Sequence, residues 1–158
     1  MEVEERIEAQ EERDYNDAKT IISRLFKEKL VQILKRPSKS VSDALFSGKT
    51  STLQAYSMEI KSVLGDFWKS EQSFLLKIAK YINLKKDRDD RNEEEKLLII
   101  YLIPKERKYF IYNLDDIHLS TYKIDNVKIK ITQFKDSPKV ETPCIFLPLE
   151  EAVCTGYY

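Results

Sequence analysis

The sequence predicts an α+β chain, with an N-terminal α-helical bundle or hairpin domain over 1–119 and a small β-rich domain over 120–158. Three observations predict it. Charged residues make up 34% of the chain and glycines number only three, a composition suited to long helices with solvated faces. Apolar residues recur at three-and-four spacing from Ala18 to Leu34 and again from Leu53 to Ile82. Beyond Tyr122 the period changes, because Val127, Ile129 and Ile131 alternate with Lys128, Lys130 and Thr132.

The first element runs from Glu2 to about Lys35, a stretch without glycine or proline in which Ile21, Ile22, Leu25, Phe26, Leu30, Ile33 and Leu34 draw an amphipathic stripe. Arg36-Pro37 ends it, since proline disfavours the α conformation in the residue before it and cannot continue the ladder. A serine-rich connector, Ser38 to Ser51, has room for one helical turn around Val41, Ala44, Leu45 and Phe46. The second helix then spans about Thr52 to Leu84, with Leu53, Tyr56, Ile60, Val63, Leu64, Phe67, Trp68, Leu75, Ile78 and Ile82 on one stripe. Gly65 inside it implies a close helix contact.

Lys85 to Lys96 reads as a solvated linker of mixed charge. The run Leu97 to Ile103 fits a buried strand by its branched and aromatic content, or a helix by its acidic start, and the acidic start favours a helix over 93–114. Asp136-Ser137-Pro138 is a turn, and Cys144-Ile145-Phe146-Leu147 is another strand.

Charge sets limits on function. Lysine and arginine number 27, aspartate and glutamate 27, so no global field draws the protein onto nucleic acid or a membrane surface. Locally, 1–17 carries eight acidic and two basic residues and 18–49 the reverse. Such a switch complements a helix macrodipole, and it also leaves a basic half, Lys19 to Lys49, able to meet an acidic partner. No stretch reaches the length of a membrane span and no signal-like run opens the chain, so a cytoplasmic or nucleoid-associated protein is expected.

Catalytic, metal and cofactor residues are not expected. His118 is the single histidine and stands beside Asp115 and Asp116 without a nucleophile motif. Ser47-Gly48-Lys49-Thr50 ends like a phosphate-binding loop but lacks its first glycine. Asp87, Asp89 and Asp90 are interleaved with Lys85, Lys86, Arg88 and Arg91, which neutralise them as a metal cluster. Cys144 and Cys154 are expected to be buried, reduced and structural.

Along the second helix Glu59, Ile60, Val63, Phe67, Leu75, Leu76, Lys77, Ile78, Lys80 and Tyr81 follow a pattern of acid, apolar positions and a basic-aromatic ending. An acidic start at Glu93-Glu94-Glu95 and a Leu147-Pro148 element before Ala152 come after it. In these features the chain resembles GINS subunits, of the archaeal-type class with the helical domain first and the small β domain last. The resemblance implies a non-catalytic structural subunit of a replicative-helicase accessory complex in DNA replication. Implied partners are other GINS-like subunits, as hetero- or homo-oligomer, the MCM helicase and a RecJ-like factor. The interface residues are then Leu25, Phe26, Phe67, Trp68, Phe74, Leu75, Ile78 and Tyr81, large apolar anchors excluded from water. The alternative is a small nucleic-acid-binding protein, viral or from a defence complex, using the basic stretch 19–39.

Overall fold

A computed structural model describes residues 2–37, 40–49, 51–130 and 138–158. Its fold is α+β, but the helical part is one long helix, α1 (Val3–Phe26), followed by two sheets. A six-stranded sheet has the order β1 (Leu30–Lys35), β2 (Ala44–Lys49), β3 (Leu53–Ser62), β5 (Lys96–Ile103), β6 (Lys108–Asn113), β9 (Cys154–Tyr157). A three-stranded sheet has the order β4 (Ser73–Lys77), β8 (Lys139–Pro148), β7 (Ile124–Lys130). Two further helices, α2 (Phe67–Glu71) and α3 (Ile78–Arg91), lie in the connection between β3 and β5. No helix among the described residues is long and apolar enough to cross a membrane.

The helices expected over 2–35, 52–84 and 93–114 are therefore corrected. α1 stops at Phe26 because Lys27 turns the backbone to φ 51, and Leu30-Val31-Gln32-Ile33 continues as an edge strand. Over 53–62 the three-and-four spacing was coincidental with a strand whose Tyr56 to Glu59 are all buried between neighbours on both sides. The run Leu97 to Ile103 is a strand buried throughout, the form an apolar run takes when both faces of a central strand are covered. The supposed linker after Lys85 is the second half of α3, and the single helical turn expected in the connector is strand β2. β7 follows the alternation expected of it and Cys144 to Leu147 lie in a strand as expected, while Ile131 and the turn at Asp136-Ser137 lie outside the described residues.

β5 organises the layers. It pairs in parallel with β3 and antiparallel with β6, every other neighbour in the sheets also being antiparallel. A parallel pair needs a crossover, and α2, β4 and α3 form it. Leu98, Ile100 and Leu102 pack with Ala18, Ile21 and Ile22 of α1. Leu97, Ile99, Tyr101 and Ile103 face the other way, onto Phe74, Leu76, Ile145 and Leu147 of the second sheet and Tyr81 and Leu84 of α3. The molecule is thus a helix, a sheet, and a third layer of sheet plus helix. Two strand pairings cross the boundary expected at 119/120, β8 with β4 and β9 with β6.

Candidate functional site

Where β3 leaves the covered part of the sheet, Glu59 stands opposite Ile99 and Lys61 opposite Tyr101. Alternate residues of a strand share a face, so both side chains project toward the layer of α3 and β4. The preceding strand brings a second carboxylate. Asp43, one residue before β2, donates its N–H to the Met58 carbonyl at 3.0 Å and accepts the Ile60 N–H on Oδ2 at 2.7 Å. These bonds pin Asp43 at the mouth of the β2–β3 ladder, where its carboxyl adjoins that of Glu59.

Glu59 is only 8% exposed. Burial, reinforced by the Asp43 carboxyl, raises its pKa well above the usual carboxylate range, against the opposing pull of Lys80. Lys80 of α3 places Nζ 2.7 Å from Glu59 Oε2 and donates to the Val41 carbonyl at 2.6 Å. Lys61 retains surface area, yet protein crowds its ammonium. That desolvation, together with the charge of Lys77, lowers its pKa. A cavity of about 210 Å³ is lined by Glu59, Lys61, Leu76, Lys77, Lys80 and Ile99. Among the described residues Lys61 and Lys77 have no ion-pair partner.

Behind Asp43 the other face holds Glu11, Asp14 and Tyr15 of α1 with Lys35 and Arg36, around a cavity of about 40 Å³. Asp14 is raised first by burial, with Asp17 and Asp43 adding to the rise and a hydrogen bond from Gln10 opposing it. Among the described residues no group of three or more His, Cys, Asp or Glu is placed to hold a metal ion. Asp43 and Glu59 remain as a pair, and one or two carboxylates are what a magnesium site needs when substrate phosphate and water complete it.

Comparisons with known protein families, curated proteins and solved structures return no match to the chain.

The residues singled out as interface anchors do not share one surface. Trp68, Phe74 and Tyr81 are buried in the chain's own core at 5%, 2% and 7% exposure. Leu75 and Ile78 are half-buried, and Phe26 packs edge-on against Phe46 and Tyr56 at 5.4 and 5.6 Å. Leu25 and Phe67 are exposed. Of the basic stretch 19–39, Lys35 is held by Glu12 at 2.6 Å and Arg36 by Asp87 at 2.9 Å, while Ser38 and Lys39 lie outside the described residues. Both cysteines are free thiols, with Cys144 buried and Cys154 half-buried beside the Tyr109 hydroxyl at 3.7 Å.

Asp43, Glu59 and Lys61 went unnoticed in the sequence because 52–84 read as a helix. Residues two apart on a helix point about 200° apart, whereas on a strand they align. The signal was a Glu-x-Lys triplet within a branched and aromatic run, preceded by an aspartate just ahead of another such run.

Proposed function

We propose that the protein is a divalent-cation-dependent hydrolase of phosphodiesters, with nucleic acid as the substrate class and Asp43, Glu59 and Lys61 as its catalytic residues. The observation that carries this is the buried Glu59 carboxyl at the wall of a cavity that also presents Lys61, Lys77 and Lys80, with the Asp43 carboxyl adjoining it from the mouth of the β2–β3 ladder. Two adjoining carboxyls repel each other when both are ionised, and a divalent cation between them would relieve that repulsion. The lysines suit the other half of the chemistry, because a phosphodiester is an anion and its charge grows on the non-bridging and leaving oxygens as hydrolysis proceeds.

In this reading Asp43 and Glu59 would hold the cation, Lys80 would give up its bond to Glu59, and Lys77 would bind substrate phosphate. A bound divalent cation supplies charge neutralisation at the phosphate and a more acidic water. Lys61 stands on the same strand face as Glu59, where it would give a proton to the leaving oxygen. The proposal departs from the expectation of a protein with no metal and no catalytic residue, and from the helicase-accessory scaffold. That scaffold reading drew on a single helix over residues that form β3, α2, β4 and α3.

The test is cleavage of labelled single- and double-stranded DNA and RNA with magnesium or manganese. Wild type is expected to cut, and Asp43→Asn, Glu59→Gln and Lys61→Met to lose about a hundredfold or more in rate while keeping their fold. Absence of cleavage on every substrate, together with no manganese binding by calorimetry, would overturn the reading.

A further inference from the structure

Next to the catalytic cavity, and sharing Lys61 with it, lies a larger groove of about 510 Å³ between the end of β3, α2 and the strands β4 and β7. Its floor is apolar and aromatic, and among the described residues its charged lining side chains are Lys61, Lys128, Lys130 and Lys139, with no acid. The floor includes Phe67, which is 45% exposed and 6.5 Å from Phe146 between ring centres. We infer that this groove seats a single strand of nucleic acid, its phosphates against the lysines and a base stacked on Phe67, and leads that strand to the catalytic residues. The inference rests on the hydrolase reading for its direction, though not for the binding itself.

Charge complementarity decides the occupant. Lys130 stands directly opposite Lys139 in the β7–β8 ladder, a like-charge juxtaposition that lowers the stability of the sheet. Among the described residues none of Lys61, Lys77, Lys128, Lys130 and Lys139 has a carboxylate within ion-pair distance. Glu141 stands opposite Lys128 in the same ladder, so the uncompensated charge lies at Lys130 and Lys139, and a polyanion that joins those two ammonium groups accounts for their juxtaposition. A cleft with an exposed ring in its floor favours one strand over a duplex, whose bases are stacked on each other and shielded from it. In a protein of zero net charge a basic groove directs nucleic acid to itself, because no global field draws the polyanion elsewhere.

The experiment is titration of labelled oligothymidylate and of a duplex with the full chain in EDTA, where no cleavage competes, at several salt concentrations. The variants are Lys128→Ala/Lys130→Ala/Lys139→Ala, Phe67→Ala and Glu59→Gln, with thermal melts as the check on folding. The triple lysine variant is expected to bind the single strand about tenfold or more weakly, with the salt slope reduced by about two. Phe67→Ala is expected to weaken the single strand and leave duplex binding unchanged. Glu59→Gln keeps its affinity. Unchanged single-strand affinity in both groove variants, or tighter binding of duplex than of single strand, overturns the groove. Lysine-dependent binding without cleavage under any divalent cation keeps the groove and removes the hydrolase. Cleavage lost in Glu59→Gln with binding indifferent to the groove lysines does the opposite.

Discussion

Glu59 carries a titration that stability measurements can read. Burial first, then the Asp43 carboxyl, raises its folded pKa well above the ordinary 4.5, so the native state binds the Glu59 proton more tightly than the unfolded chain does. Stability is therefore fullest below about pH 4.5 and falls as pH climbs through the raised value. Asp14, raised by burial from 3.8, acts in the same direction. Asp87 and Asp115 act oppositely. Burial alone would raise both, but hydrogen bonds from Arg91 and Arg36 to Asp87, and from Arg88 to Asp115, more than offset it. Their contributions are complete above about pH 3.8 and are lost as pH falls through their depressed values. Wild-type melting temperature is accordingly expected to decline from pH 4.5 toward neutrality, and Glu59→Gln to flatten that decline. An equal decline in the variant would mean that Glu59 is ionised throughout. Arg88 offers a second measurement. It is 6% exposed, forks onto Asp115 at 2.8 and 2.6 Å and donates to the Glu95 carbonyl at 2.8 Å. Arg88→Met leaves Asp115 and that carbonyl without the donor, and denaturant titration is expected to register a loss of about 3 kcal/mol.

At the scale of elements, the legible parts were those where only one period fits. The first helix announced itself through Ala18, Ile21 and Ile22, and β7 and β8 through alternation and an apolar run. The rest was hidden by two-sided burial. In β3 and β5 side chains of both faces are covered, so the sequence has no polar face from which to read a period. Helix and strand then differ only in β-branching and length. Within 53–84 the chain changes element three times, at Gly65-Asp66, at Gln72 with its left-handed backbone, and at Lys77. Only the glycine among these is a conventional breaker. The candidate site was invisible for the same reason, since recognising Glu59 and Lys61 as neighbours on one face requires knowing that β3 is a strand. Trp68 keeps its structural weight under either reading. It stacks on Phe74 at 5.6 Å and approaches Phe110 at 5.8 Å, and truncation to alanine is expected to cost about 3 to 5 kcal/mol by chemical denaturation. A change below about 1 kcal/mol would remove Trp68 from the core.

For the whole molecule the question is whether 120–158 is a tethered module or part of one core. Ile145 and Leu147 of β8 lie at 0% exposure in the cluster that includes Leu97, Ile99 and Tyr101 of β5 and Phe74 of β4. β8 also supplies the whole ladder of β4, from Ser73 opposite Pro148 to Lys77 opposite Cys144. The Tyr112 hydroxyl donates to the Pro148 carbonyl at 3.0 Å. β9 adds the ladder on the outer edge of β6, and the Tyr158 N–H donates to the Arg107 carbonyl at 2.8 Å. Removing 120–158 would uncover one face of β5, strip β4 of its only partner strand among the described residues and open the edge of β6. Burial lost on that scale exceeds the few kcal/mol by which domains of this size are stable. The 1–119 fragment is therefore expected to lose cooperative unfolding and bind hydrophobic dyes, while α1 leaves some helical circular dichroism. A fragment that melts cooperatively near the full-length temperature would show that α1 and the six-stranded sheet fold without the third layer, and the division at 119/120 would stand.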